Sequence, residues 1–457
     1  MLPDDALLEI FSYSQKLSQS KQPWWSPKRS WWWWTPLVHT CRRWRHIVFA
    51  FPNHLQLVLI CDPTTPVKKL LGIWPRIPIS LRYHPSLRHG ADENTIAALE
   101  HRDRVSDITF YWNKIPELES LTAVMQEPFP ALTSLVLSSF KPQELVLILP
   151  KAFFNGSAPS LRTIALKGTA FPALPRLLSS APHLVSLKLD EMPASACISA
   201  EAIASCLATL INLESLDIDF EDTSIHPGCT RPPSLSRAVF PALAYFNFKG
   251  ISEYLEDFVS RIDAPILRTL SITLKGSNLH VPQILGFISR AEGFMPPKSV
   301  VFKLSSWDIS LKFEPSDSLA LEIIYQSRMD GCLGMPRICR ELSPLLSQVV
   351  RLDLCVTGNR HQVFPPWWCF IRPTQWLEIL RTFIATQILR VSNALMFPLE
   401  CALPEITSDA DAGLLPELRT LFLEGSNPLV SVPAAFEQFV SARQLFGLPI
   451  DVQPWEP

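Results

Sequence analysis

Apolar and polar residues along this chain repeat one short phrase. Proline, a spacer, an apolar anchor, two spacers, and two further apolar anchors two apart recur six times. The copies begin at Pro130 (Leu132, Leu135, Leu137), Pro159 (Leu161, Ile164, Leu166) and Pro182 (Leu184, Leu187, Leu189). The others begin at Pro241 (Leu243, Phe246, Phe248), Pro265 (Leu267, Leu270, Ile272) and Pro416 (Leu418, Leu421, Leu423). Copies without the proline start at Val105, Leu213 and Val349. Anchors two apart share one face of a strand, so each copy predicts a short strand with one face in a core. Proline cannot continue a preceding helix and is expected to set an extended approach to that strand. Helical spacing fills the gaps: Ser199 to Leu210, Ser252 to Ile262 with Ser252 as cap, and Trp376 to Ile384.

First anchors at 105, 132, 161, 184, 213, 243 and 267 give a mean period of 27 residues. This falls within the period of leucine-rich repeats, which the chain resembles. The expected architecture is α/β, an irregular leucine-rich-repeat solenoid (a horseshoe) preceded by a short helical segment. Regular repeats of that kind carry Asn or Cys three positions past the last anchor. Here Phe140, Thr169, Met192, Glu221, Ile251 and Lys275 stand there, so the array is degenerate. Strict alternation through 299–325 (Val300, Phe302, Leu304; Ile309, Leu311, Phe313; Leu319, Leu321, Ile323) predicts short antiparallel strands or a hairpin-like insertion.

The first fifty residues follow another rule. Pro3 with Asp4 and Asp5 marks a helix start, and Leu7, Leu8, Ile10 and Phe11 form its apolar face. A second helix is expected over Leu37 to Val48, with Leu37, Cys41, Trp44 and Val48 on one side. Leu2-Pro3, Leu8, Ile10 and Phe11, followed by Val38-His39-Thr40-Cys41-Arg42-Arg43-Trp44-Arg45, resemble an F-box. Together with the degenerate array, the chain is similar to the F-box proteins of basidiomycete fungi. That resemblance implies docking on the Skp-type adaptor of cullin-RING ubiquitin ligases. Leu2, Pro3, Leu8, Ile10, Phe11, Val38, Cys41 and Trp44 would pack into the adaptor or hold the three-helix fold. The chain departs from the pattern at 14–35, where Trp24, Trp25 and the run Trp31–Trp34 interrupt the helix connection. An added interaction patch, a disordered insertion and a mis-spliced or non-native segment all remain open readings. The expected organisation is the F-box-like segment at 1–50, a linker and N-terminal cap at 51–100, and the repeat domain at 101–457.

Composition narrows the function. With 41 Lys and Arg against 43 Asp and Glu, net charge is −2, which gives no basic field for nucleic acid. The acidic N-terminus lacks a signal-peptide pattern, and no apolar run suits a membrane span. A soluble protein of the cytoplasm or nucleus is expected, bound to neither nucleic acid nor membrane. The ten cysteines include no C-x-x-C pair, and reduced, buried thiols are expected. Cys197, Cys206 and Cys229, or Cys355, His361 and Cys369, fit no zinc spacing. Glycine-rich phosphate loops, nucleophile elbows and metalloprotease helices are missing from the sequence, so no enzyme activity, metal or cofactor is expected.

Positions flanking the second anchor of each copy would line the concave face of a horseshoe. Lys188, Asp217, Tyr245, Asn247, Arg351 and Asp353 are the partner-binding candidates there, since aromatic and charged side chains anchor protein interfaces. Two functions compete. One is the substrate-recognition subunit of a ubiquitin ligase, holding an unknown protein substrate. The other is a stand-alone interaction scaffold whose N-terminal helices only cap the array.

Overall fold

The computed structural model describes residues 2–20, 33–52, 54–61, 66–73, 76–83, 92–112, 115–140, 146–193, 198–220, 237–275, 281–305, 308–314, 319–326, 331–356, 371–402, 414–425 and 434–455. The chain divides into two compact units, Met1–Ala196 and Cys197–Pro457. The division falls inside the stretch expected as one repeat domain. Both units are mixed α/β, and both are built on a large sheet that is mostly parallel.

In the first unit, β1 (Leu59–Cys61), β2 (Ile79–Tyr83), β3 (Val105–Trp112), β4 (Ser134–Ser139), β5 (Thr163–Lys167) and β6 (Ser186–Met192) lie side by side in chain order, all parallel. The anchors stack in register: Leu135, Ile164 and Leu187 form one buried row, Leu137, Leu166 and Leu189 the next. Burying one such side chain stabilises the fold by about 1.5–3 kcal/mol, and each row repeats that gain. Strands β1 and β2 lie in the stretch expected as linker and cap. They extend the sheet ahead of the first copy without carrying its phrase.

The prolines act differently from expectation. Leu132, Leu161 and Leu184 donate their N–H groups to the carbonyls of Phe129, Ala158 and Ala181, closing turns with the proline at the second position. Leu243 to Phe240, Leu267 to Ala264 and Leu418 to Leu415 repeat the bond. The fixed φ of proline suits that corner, so it builds a turn rather than an extended approach. Leu213 closes the same turn on Leu210 without proline.

In the second unit, β7 (Ser215–Phe220), β8 (Tyr245–Gly250) and β9 (Thr269–Lys275) continue the pattern. Next come β10 (Ser299–Leu304), β11 (Asp308–Glu314) and β12 (Ala320–Gln326), the antiparallel strands expected from the alternation. They lie within the sheet rather than beside it: β12 pairs with β9, and β10 pairs with β13 (Arg351–Val356), both parallel. Strands β14 (Ile388–Val391), β15 (Thr420–Glu424) and β16 (Asp451–Trp455) follow in parallel.

Helices cover the buried face. Ser199 caps Ala200–Leu207, its hydroxyl accepting the Ala202 N–H at 3.2 Å. Ser252 does not cap its helix, Ser252–Ser260; Ile251 precedes it, and the Ser252 hydroxyl bonds Glu253. Phe246 meets Phe258 and Phe287 from two successive helices, and Phe302 meets Trp376 of Pro373–Leu380.

Candidate functional site

Two surfaces carry the sequence candidates. The first is the N-terminal helical unit, α1 (Asp4–Ser20), α2 (Thr35–Thr40) and α3 (Arg42–Ala50). The helix expected over Leu37 to Val48 is two helices. Cys41 is extended (φ −157°, ψ 169°), and its sulfur accepts the Trp44 N–H at 3.4 Å, so Cys41 ends α2 and caps α3. Arg43 fastens α3 to the start of α1. It donates to Asp4 Oδ1 and to the Leu2 carbonyl, each at 2.6 Å. Arg45 donates to the Val38 carbonyl at 2.9 Å.

Of the adaptor-binding candidates, Leu8, Phe11 and Val38 are buried, at 8%, 0% and 2% exposure. Phe11 packs on Trp44 of α3, and all three are buried in this structure rather than open to a partner. Trp44 is half-buried against Phe11, while Leu2, Pro3, Ile10 and Cys41 are exposed. On α1 the residues Pro3, Ala6, Ile10 and Tyr13 recur at helical spacing along one flank, beside the inward face of Leu7, Leu8 and Phe11. Ile10 and Tyr13 are 48% and 64% exposed. Tyr13 escaped the sequence reading because it lies past the motif. Within 14–35, the described residues show α1 running to Ser20 and Trp34 fully buried near Phe49. Trp24, Trp25, Trp31 and Trp32 lie outside the described residues.

The second surface is the sheet face opposite the helices. Asp217, Asn247 and Ser271 are cross-strand neighbours on β7, β8 and β9, and Asn247 Nδ2 donates to Asp217 Oδ1 at 2.8 Å. Tyr245 is exposed one pair away. Two residues on from Asp217, Asp219 is only 5% exposed, with the Lys249 and Lys275 ammonium groups at 3.0 and 3.1 Å. Lys188 belongs to the first unit, where it is exposed and lies 3.8 Å from Asp190.

Arg351 and Asp353, two apart on β13, form a forked ion pair at 2.9 and 2.5 Å. The hydrogen bond to Asp353 raises the Arg351 pKa further above its ordinary value, against the opposing effect of burial. Asp353 is 4% exposed, so it is an internal counter-ion and not a surface contact. Its cross-strand neighbour is Arg390 on β14, followed by Phe422 on β15. Arg390 lies 4.0 Å from Asp353 Oδ2, and its guanidinium carbon is 5.1 Å from the Phe422 ring centre and 5.7 Å from that of Trp455. Sequence reasoning missed Arg390 and Trp455 because neither strand carries the full repeated phrase. Only the pairing register reveals them.

Of the candidate metal sets, Cys197, Cys229, His361 and Cys369 lie outside the described residues. Cys355 is half-buried on β13, and burial pushes its thiol up to about 11. These features, shallow polar rows and half-buried aromatics on an open sheet, suit noncovalent recognition.

No protein-family model and no curated protein matches the chain. Among solved structures, a leucine-rich repeat-containing protein, LegL7 from Legionella pneumophila, is 13% identical over 85% of this chain and 97% of its own, with a TM-score of 0.27. An overlap of that size carries no weight for fold or function.

Proposed function

We infer that this chain is a leucine-rich-repeat interaction scaffold that serves as the substrate-recognition subunit of a cullin-RING ubiquitin ligase. In this reading the N-terminal helices dock on a Skp-type adaptor, the sheet face opposite the helices holds a protein substrate, and the chain itself catalyses nothing. It works in the cytoplasm or nucleus, without cofactor, nucleic acid or membrane. The observation that carries the docking is the flank of α1, where Pro3, Ile10 and Tyr13 stay exposed beside a face already filled by Leu7, Leu8 and Phe11. Exposed apolar residues in a row on one helix are what a partner helix or groove covers. The stacked anchor rows support the repeat reading.

Co-expression with a recombinant Skp-type adaptor tests the docking. The full chain is expected to retain the adaptor through affinity and size-exclusion steps, and Ile10→Asp with Tyr13→Asp is expected to release it while melting unchanged. Retention by that variant overturns the assignment.

A stand-alone scaffold is the second reading. It is favoured by the deep burial of Leu7, Phe11, Trp34 and Val48, which gives these helices a structural role of their own. It predicts no adaptor in the complex.

A further inference from the structure

We propose that Arg390 is the anchor for a carboxylate side chain on an extended acidic segment of the protein partner. The proposal rests on the reading of this sheet face as the substrate surface.

Arg390 is held but not used up. Phe422 and Trp455 flank its guanidinium at 5.1 and 5.7 Å, and the side chain is 27% exposed. Among the described residues it donates no hydrogen bond, and its buried Nε has no partner. Its single ion-pair contact, to Asp353 at 4.0 Å, reaches a carboxylate that Arg351 already grips with both prongs. Two guanidinium groups therefore share one carboxylate, and Arg351 holds it the closer of the two. Among the described residues Glu314, Glu424 and Asp451 keep their charge but do not lie within ion-pair distance of Arg390, and each accepts a hydrogen bond from elsewhere. Glu314 accepts from the Ser299 hydroxyl, Glu424 from the Asn393 N–H, and Asp451 from Gln453 Nε2.

A guanidinium carries five N–H donors in a planar fork that matches a carboxylate. Flanking rings restrict its rotamers in advance, so little side-chain entropy is lost when a ligand arrives. Partial burial strengthens the attraction compared with open water. One available fork, beside the fixed negative charge of Asp353, suits a singly charged carboxylate better than a doubly charged phosphate. The site lies on the open face of parallel strands, flanked by half-buried aromatic rings that can take apolar neighbours of the acidic residue. Arg and aromatic residues together are the usual composition of an interface anchor.

Selection from a random eight-residue peptide library on the immobilised full chain, read by sequencing, tests this. Expected is a pool enriched in Asp or Glu at one position with apolar neighbours. The enrichment should fall by about tenfold with Arg390→Met, the size expected for one charge-assisted contact. Phe422→Leu with Trp455→Leu, which removes the flanking rings and keeps the charge, should weaken it in the same direction. A pool without acidic enrichment, or one equally acidic with Arg390→Met, overturns the proposal. Adaptor capture by the same preparation, measured in parallel, tells this failure apart from failure of the ligase reading.

Discussion

Phe11 of α1 and Trp44 of α3 meet edge to face, their ring centres 5.0 Å apart and their planes at 64°. One ring is fully buried and the other half-exposed, so the contact joins the interior of the helical unit to its surface. Phe11→Ala removes the buried partner and should cost about 3–5 kcal/mol, most of it from the cavity left behind. Ile10→Asp, one residue away on the exposed flank, should change stability by no more than about 0.5 kcal/mol. Urea titration of both variants checks the contrast, and a large loss in Ile10→Asp would mean that the flank is already covered.

Gly250, at the end of β8, has no room for a side chain. A Cβ there would lie 2.9 Å from the Phe248 ring and 3.1 Å from the Phe220 ring. Those rings form a cluster with Tyr254, whose ring centre is 4.6 Å from Phe220 and whose hydroxyl donates to the Ile198 carbonyl. Gly250→Ala should therefore destabilise the second unit by about 1–3 kcal/mol through overpacking. The denaturation midpoint reads this directly, and a neutral or stabilising result would contradict the packing described.

Asp353 lies between two arginines, so Asp353→Asn leaves like charges on the diagonal of adjacent strands without a counter-ion between them. Breaking a fully buried pair is costly, but Arg351 remains about a third exposed and solvent screens part of the loss. The expected cost is about 1–2 kcal/mol. A double-mutant cycle with Arg351→Met should return a coupling of the same order. Absence of coupling would mean that the forked pair contributes nothing to stability.

Cys339 supplies a pH dependence with a definite sign. Burial pushes its thiol from 9.0 up to about 12 in the folded chain. The unfolded thiol loses its proton first, so between about pH 9 and 12 the folded state binds more protons than the unfolded state. The Cys339 contribution is fully present below pH 9 and is lost as pH rises towards 12. Cys339→Ala should flatten the alkaline decline in stability relative to the unsubstituted chain. Equal slopes between pH 9 and 11 would contradict the burial.

The repeated strands were legible because one residue pattern serves one physical need. Leu135, Ile164 and Leu187 have to fill equivalent places in a stacked core, so their spacing appears directly in the sequence. The role of Pro130 and its equivalents was misjudged, since an X-Pro pair suits a turn corner as well as an extended approach. Strands Leu59–Cys61 and Ile79–Tyr83 were not foreseen. They are short, lack the phrase, and owe their state to the neighbours they pair with. Antiparallel strands through 299–325 were legible from alternation, but not their position within the sheet, because pairing partners leave no trace in a local pattern. Cys41 broke the expected second helix by capping with sulfur, a role usually taken by Ser, Thr, Asp or Asn. The candidate site divides in the same way. The repeat position pointed to Arg351 and Asp353 as partner contacts, but Asp353 is buried as the counter-ion of Arg351, whereas Arg390 and Trp455 enter only through the register of β13 to β16.

Hydrogen exchange on the full chain, with and without a purified Skp-type adaptor, tests the central claim most directly. The account predicts slowed exchange across residues 2–14 and 38–50 on adding the adaptor, with the strands of the second unit unchanged. Identical exchange in those two segments, with and without adaptor, would contradict it.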